Sequence, residues 1–217
     1  MELRHVPCAG CSLRGAGGLT AQELRLIIRQ AAGDVSSHHI AGDESRDRQR
    51  TRLTPAAVLI GIVDRPDGLS LILTRRTAHL NAHAGQISLP GGRMEPEDPN
   101  APAAALREAQ EEVGLDPEAV DILGGLRTYD TVTGFRVHPV VGWIRPPVDF
   151  SIDPFEVDEL FEVPFAYIID PANQRRDSFL RDGVRRHFWA IPYGPHYIWG
   201  ATAGMLVNFS RLLNGQT

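Results

Sequence analysis

The sequence predicts an α+β or α/β/α fold with a mixed β-sheet between helices. Three observations carry this. Two apolar β-rich runs flank a turn at 56–74, a helix pattern rich in acids occupies 102–113, and an apolar helix pattern closes the chain at 202–213. Strands surround the middle helix, so it must cover one face of a sheet they form.

Taken in order, residues 1–19 read as a disordered leader ending in the Gly-rich stretch GAGG. Thr20 is placed to N-cap a helix over 21–32, with Glu23 completing a capping box. Leu24, Ile27, Ile28 and Ala31 fall on one face of that helix, which packs either on the domain or on a second subunit of a homodimer. Residues 33–52 are polar and include the charge run ESRDRQR, so they read as a linker or exposed loop. The expected division is a leader, one helix and a linker over 1–50, followed by a single domain over 51–217.

The core begins near Pro55. AAVLIGIV (56–63), the turn RPDG (65–68) and LSLILT (69–74) form a hairpin. Residues 75–90 read as a loop with one short strand at 87–89, and a helix follows at about 102–113. Strands are expected at 120–128 and 135–145, separated by the turn TVTG. Residues 155–170 mix strand and helix signals, and HFWAIPY (187–193) reads as a strand. In the closing helix Leu206, Phe209, Leu212 and Leu213 keep helical spacing.

At 217 residues, 42% hydrophobic and 23% charged, the chain can bury a core without covalent staples. The formal net charge of −5 excludes a protein built to coat nucleic acid. Cys8 and Cys11 are the two cysteines. With His5 they offer three ligands where a tetrahedral zinc site wants four, so they read as leader. No run of about 18 apolar residues exists to span a membrane, and the first 20 residues lack the apolar centre of a signal peptide. A cytoplasmic location is expected.

The chemistry concentrates in residues 91–115, GGRMEPEDPNAPAAALREAQEEVGL. Glu108, Glu111 and Glu112 stand at i, i+3 and i+4, a spacing that shares a helix face and makes their charges repel. A divalent cation relieves that repulsion, and Mg²⁺ and Mn²⁺ prefer oxygen ligands. Arg107 reaches Glu111 at i+4; Pro102 suits the first helical turn and Gly114 the left-handed end. Gly91 and Gly92 after Pro90 form a loop that lets backbone approach a phosphate. The aromatics from Tyr129 to Trp199 read as core or interface, and His79, His83, His138 and His187 are not expected to bind metal.

These residues resemble the Nudix hydrolase box, G-x5-E-x7-R-E-U-x-E-E-x-G-U with U aliphatic. Gly92, Arg107, Glu108, Ala109, Glu111, Glu112, Gly114 and Leu115 match it. Asp98 replaces the first Glu, and eight residues separate it from Arg107, one more than in the general box. The longer box resembles the coenzyme A diphosphatase subfamily. So does the preceding LILTRRTAHLNAHAGQISLPGG, where Leu73, Thr74, Arg76, Gly85, Pro90, Gly91 and Gly92 match and Asn81 stands in place of an arginine.

The resemblance implies a metal-dependent diphosphatase acting on a small nucleotide substrate, with Mg²⁺ or Mn²⁺ on Glu108, Glu111 and Glu112. Glu108 either binds metal or orients water. Arg107 belongs to the catalytic set, and Arg75, Arg76, Gly91 and Gly92 are the substrate-binding candidates. The general base is Glu112 or a downstream acid among Glu156, Glu159 and Glu162, with Glu159 the choice. Coenzyme A is the expected substrate; ADP-ribose or another nucleoside diphosphate derivative is the alternative, and a non-catalytic nucleotide-binding module is the reading from another class.

Overall fold

A computed structural model describes residues 21–33, 39–41, 53–78, 85–181 and 183–214. In chain order its elements are α1 (Ala21–Gly33), β1 (His39–Ala41), β2 (Thr54–Arg65), β3 (Gly68–Arg76), β4 (Ile87–Ser88), β5 (Gly91–Arg93), α2 (Ala101–Val113), β6 (Val120–Gly125), β7 (Thr128–Asp130), β8 (Phe135–Ile144), β9 (Val157–Pro164), α3 (Phe165–Ile169), β10 (Arg175–Arg181), β11 (Val184–Tyr193), β12 (His196–Trp199) and α4 (Gly200–Leu213).

The apolar runs of β2 and β8 pair in parallel along their whole length, from Thr54 opposite Phe135 to Val63 opposite Ile144. Because side chains alternate across a strand, these runs feed two separate cores. Ala57, Leu59, Val63, Ile72, Val140 and Ile144 face α2, packing on Ala104, Ala105, Ala109 and Val113. Ile60, Ile62, Leu71, Leu73, Val141 and Trp143 face the other way, onto Ile28 of α1, Phe165 of α3, and Leu206 and Phe209 of α4. The result is the mixed sheet between helices that the element order predicts.

The sheet opens at one end. β2 and β3 pair only from Ile62 and Leu71 towards their shared turn. Beyond that they part, and the wedge is filled by β5, which pairs with Ala56–Val58 of β2, and β4, which pairs with Thr74 and Arg75 of β3. β9 runs along the outer side of β3. The Gly91–Arg93 stretch therefore enters the sheet where two long strands diverge.

Three local readings change. The stretch 33–52, expected to be linker, contains β1, which pairs in parallel with β7; three residues are too few for a periodicity signal. The mixed segment 155–170 resolves into β9 followed by the single turn of α3. The strand expected at 187–193 is longer, and β10 and β12 pair on either side of it as a second sheet. Of the two packings open to the first helix, the domain holds it: Ile28 is fully buried, and Arg25 and Arg29 both pair with Asp121 of β6. Cys8, Cys11, Thr20, His79, Asn81 and His83 lie outside the described residues. Among the described residues no helix is long and apolar enough to cross a membrane.

Ile28→Ala tests that packing. It should lower unfolding free energy by about 2–4 kcal/mol, the cost of an unfilled core cavity, read from urea denaturation. A change within error would mean that α1 adds nothing to the core.

Candidate active site

Helix α2 is fixed at both ends by the residues that its sequence supplies. The Asn100 side chain accepts from Ala103 N–H at 2.9 Å, Pro102 sits in the first turn, and Gly114 ends the helix at φ 65°. A Cβ on Gly114 would lie 2.9 Å from the Ser151 carbonyl, so the end is sterically closed as well.

The three helix glutamates have different surroundings. Glu112 points into the sheet and is 3% exposed. One of its oxygens accepts from Gly91 N–H at 3.1 Å, and the other lies 3.5 Å from Arg76 Nη1. Glu108 is half-buried against Gly92, where a Cβ would come within 2.5 Å of its carboxyl carbon. Glu111 lies nearest solvent, held by Arg107 Nη1 at 3.0 Å. The face is thus graded in burial rather than uniformly solvated.

Burial sets the electrostatics. It pushes the Glu112 carboxyl up to about 8, opposed by the Gly91 N–H and Arg76 and reinforced by Glu108 and Glu156. Burial also raises Glu108, opposed by Arg107 and reinforced by Glu111 and Glu156. Carboxylates that raise one another form a site with an unmet demand for positive charge. A hard divalent ion answers that demand chemically. Among the described residues no three acidic, His or Cys side chains already stand close enough to grip one ion together. The carboxylate oxygens of Glu108, Glu111 and Glu112 are donors of the kind that Mg²⁺ and Mn²⁺ prefer.

Arg107 organises the margin. Its guanidinium donates to both Asp98 oxygens, at 3.1 and 3.0 Å, and to the Arg93 carbonyl at 3.1 Å. It also lies 3.0 Å from Glu108 Oε1. The hydrogen bonds from Arg107, with the Glu95 N–H, hold the Asp98 carboxyl below the usual carboxylate range. The same bond to Asp98 raises Arg107.

Several candidates stand elsewhere than expected. Gly91 and Gly92 form strand rather than a free loop. Gly91 adopts φ 153°, and a Cβ there would lie 2.3 Å from the Ala57 carbonyl oxygen. Its N–H is occupied by Glu112, and Gly92 makes room for Glu108, so both glycines shape the acids. Arg75 and Arg76 point to opposite faces. Arg76 reaches Glu112 and, at 4.0 Å, Glu156. Arg75 pairs with Asp158 and Glu159.

Glu159, the expected base, is directly opposite Arg75 in register and 3.9 Å from His196, on the face away from α2. Glu156 is the downstream acid beside Glu108 and Glu112, fixed by Thr77 N–H donating to its carbonyl at 3.0 Å. A register shift between Arg75 and Arg76 separates the two acids' surroundings, and no composition signal marks it. One further residue shares the α2 face. His138 is opposite Ala57, which is opposite Gly92, so the three form a row across the sheet. Burial, with Arg136 nearby, lowers its pKa and favours neutral imidazole. Strand alternation from Val140 was the signal that locates it.

The sequence profile of the NUDIX domain matches residues 52–182. The chain is 41% identical over 160 residues to the "Uncharacterized Nudix hydrolase NudL" of Escherichia coli O7:K1, covering 74% of this chain and 83% of the relative. The protein of that name from Cronobacter sakazakii is 44% identical over 151 residues, 70% of this chain and 78% of the relative. Among solved structures, a C. elegans Ap4A hydrolase binary complex aligns with a TM-score of 0.44 at 20% identity, covering 51% of this chain and 80% of that one.

Two expected outcomes follow from the geometry. Gly92→Ala should displace Glu108 and cut turnover by about 10²-fold or more, the cost of misplacing a reacting group by an ångström, with the far-ultraviolet circular dichroism kept; wild-type turnover would refute the contact. Asp98→Asn should be less stable than wild type at neutral pH. The Asp98 carboxyl is held below its unfolded value, so its contribution is present above the unfolded pKa and is lost as pH falls through the folded one. Urea midpoints of the two proteins should therefore converge on acidification. A gap that widens instead would contradict the ion pair.

Proposed function

Because the chain belongs to the Nudix family, whose hydrolases act on phosphoanhydride bonds, we propose that its substrate is coenzyme A or an acyl derivative, cut to phosphopantetheine and adenosine 3′,5′-bisphosphate. The observation that carries a diphosphatase reading is the pair Glu108 and Glu112. They are carboxylates drawn into the protein beside Glu156; burial and the Glu156 charge raise both, and Glu108 raises Glu112 further. The coenzyme A assignment rests on the eight-residue spacing from Asp98 to Arg107 and on the run from Leu73 to Gly92.

Glu108 and Glu112 would hold Mg²⁺ or Mn²⁺, with the more exposed Glu111 beside them. Such an ion, when bound, neutralises diphosphate oxygens and makes hydroxide available near neutral pH. The chain's own residues do the positioning. Gly91 N–H fixes one oxygen of Glu112, Arg107 fixes Glu108 and Glu111, and Arg76 sets a cation between Glu112 and Glu156. In the reaction a water oxygen bonds to phosphorus, the bridging P–O bond breaks, and a carboxylate takes the water proton. Glu156 suits that role, since it lies beside the buried pair, is about half exposed to solvent and comes from outside helix α2. Departure of the two phosphate-ester products, with the proton passed from the carboxyl to solvent, then restores the site.

A second reading keeps the chemistry and changes the substrate to ADP-ribose or another nucleoside diphosphate derivative. Asn81 favours it, because an amide brings no charge to a phosphate where the subfamily pattern has arginine.

Incubation with coenzyme A and Mn²⁺ should release phosphopantetheine, identified by mass. Turnover of ADP-ribose with coenzyme A untouched would decide for the second reading. Glu112→Gln and Glu111→Gln should each lower kcat by at least about 10²-fold, as expected where a metal supplies several kcal/mol of charge stabilisation. Full activity in either variant would overturn its role.

A further inference from the structure

The segment between β8 and β9 sorts its apolar side chains. Val148, Phe150 and Ile152 pack, partly buried, against the core on the α2 side of the sheet, and Val157 is buried at the start of β9. Phe155 stays out. Its ring is 75% exposed, the most exposed large hydrophobic among the described residues. A phenyl ring left in water forgoes the burial that its neighbours obtain.

The backbone that carries this ring is fixed. Ser151 N–H donates to the Val113 carbonyl and Asp153 N–H to the Glu112 carbonyl, each at 2.9 Å, which ties the segment to the end of α2. Phe155 N–H donates to Asp153 Oδ1 at 2.9 Å. Glu156 and Val157 N–H both donate to the Asp153 carbonyl, at 3.1 and 2.8 Å. On the other side, the buried Thr77 donates its hydroxyl to the Phe155 carbonyl at 2.9 Å and its N–H to the Glu156 carbonyl at 3.0 Å.

These anchors belong to the carboxylate site. One is the backbone of Glu112 itself. Thr77 follows Arg76, which lies 3.5 Å from Glu112 and 4.0 Å from Glu156. Phe155 is therefore held to the helix that carries the acids and to the strand that carries their arginine, next in sequence to Glu156. The acids around it have partners within the chain: Asp153 takes the Phe155 N–H, Glu156 faces Arg76, and Asp158 and Glu159 pair with Arg75. The phenyl face has none.

We propose that Phe155 is the platform on which the heterocyclic base of the nucleotide substrate stacks, an inference that rests on the nucleoside diphosphate reading above. A diphosphate at Glu108, Glu112 and Glu156 has its base one sugar away, and the residue beside Glu156 is the aromatic one. A flat π-face suits a purine, whereas a flexible aliphatic arm gains less from it. Stacking reads neither charge nor base edge. It therefore serves coenzyme A and ADP-ribose alike, and it sets the preference for a base-bearing diphosphate over a base-free one.

The test is calorimetric titration of the full chain with Mg²⁺, using ADP as the base-bearing probe and inorganic pyrophosphate as the base-free one. Phe155→Ser should raise the ADP dissociation constant about tenfold, as loss of one base–aromatic stack does, and leave that of pyrophosphate unchanged. Phe155→Tyr should match wild type, and Phe155→Leu should fall between. Thermal melts should not move, because the ring is outside the core. ADP affinity indifferent to Phe155→Ser would overturn the proposal. So would an equal loss for pyrophosphate, a Tyr variant as weak as the Ser one, or a lowered melt. An ADP-indifferent Phe155→Ser that instead breaks up a wild-type dimer would assign the ring to a second copy. Turnover is read separately. A wild type that cleaves no nucleoside diphosphate derivative but shows this binding pattern would sink the proposed function and leave the platform standing. An active wild type whose KM ignores Phe155→Ser would do the reverse.

Discussion

Arg107 bonds at once to Asp98, the Arg93 carbonyl, Glu108 and Glu111, and that one guanidinium joins the loop after β5 to helix α2. Its planar fork is suited to this because it can serve a bidentate carboxylate with one edge and other acceptors with the rest. A lysine would offer a single point of charge. Without the join, the loop of residues 94–100 would be tied only at its ends, by the Asn100 cap and the Met94–Pro55 backbone bond, and Glu108 and Glu111 would lose their fixed partner. The extra residue between Asp98 and Arg107 is absorbed locally. Asp98 is shorter than the usual glutamate, takes the Glu95 N–H as well, and leaves Asn100 free to cap the helix.

The second constraint is steric. β2 and β3 diverge, and a strand without side chains has to enter the gap close enough for Gly91 N–H to meet Glu112. A Cβ at Gly91 would strike the β2 backbone, and one at Gly92 would strike Glu108. The glycines therefore act through what they omit. This links fold and chemistry: the same divergence that opens the sheet supplies the buried N–H that one of the acids requires.

Much of this was legible in the sequence, and what was not has physical causes. Helix α2 could be read to within a residue because its stops are chemical: Pro102, Gly114 and the apolar face of Ala105, Ala109 and Val113. The strands β1 and β10 gave no periodic signal, being short or polar on both faces. The direction of Glu159 was not legible because side-chain direction at a strand end depends on the register shift after Arg75, which only the pairing reveals. Arg75 and Arg76 are a different case. Neighbours on a strand point oppositely, which sends Arg76 to Glu112 and Arg75 to Asp158 and Glu159.

An acidic protein that handles an anionic substrate must solve a problem of sign. The cations nearest the candidate site, Arg76 and Arg107, are both engaged by its own carboxylates. They cannot be given wholly to a diphosphate without exposing those acids to one another. Nor can the acids stay charged without help, since burial already pushes Glu112 to about 8. Protonation would quiet the repulsion but remove the ligand. A divalent ion held on the helix face would answer both demands, because it would neutralise the acids and offer positive charge to a diphosphate. The buried Glu112 is fixed by Gly91 N–H on one oxygen and faces Arg76 with the other, so its carboxyl is held in one orientation beside Glu108 and Glu156.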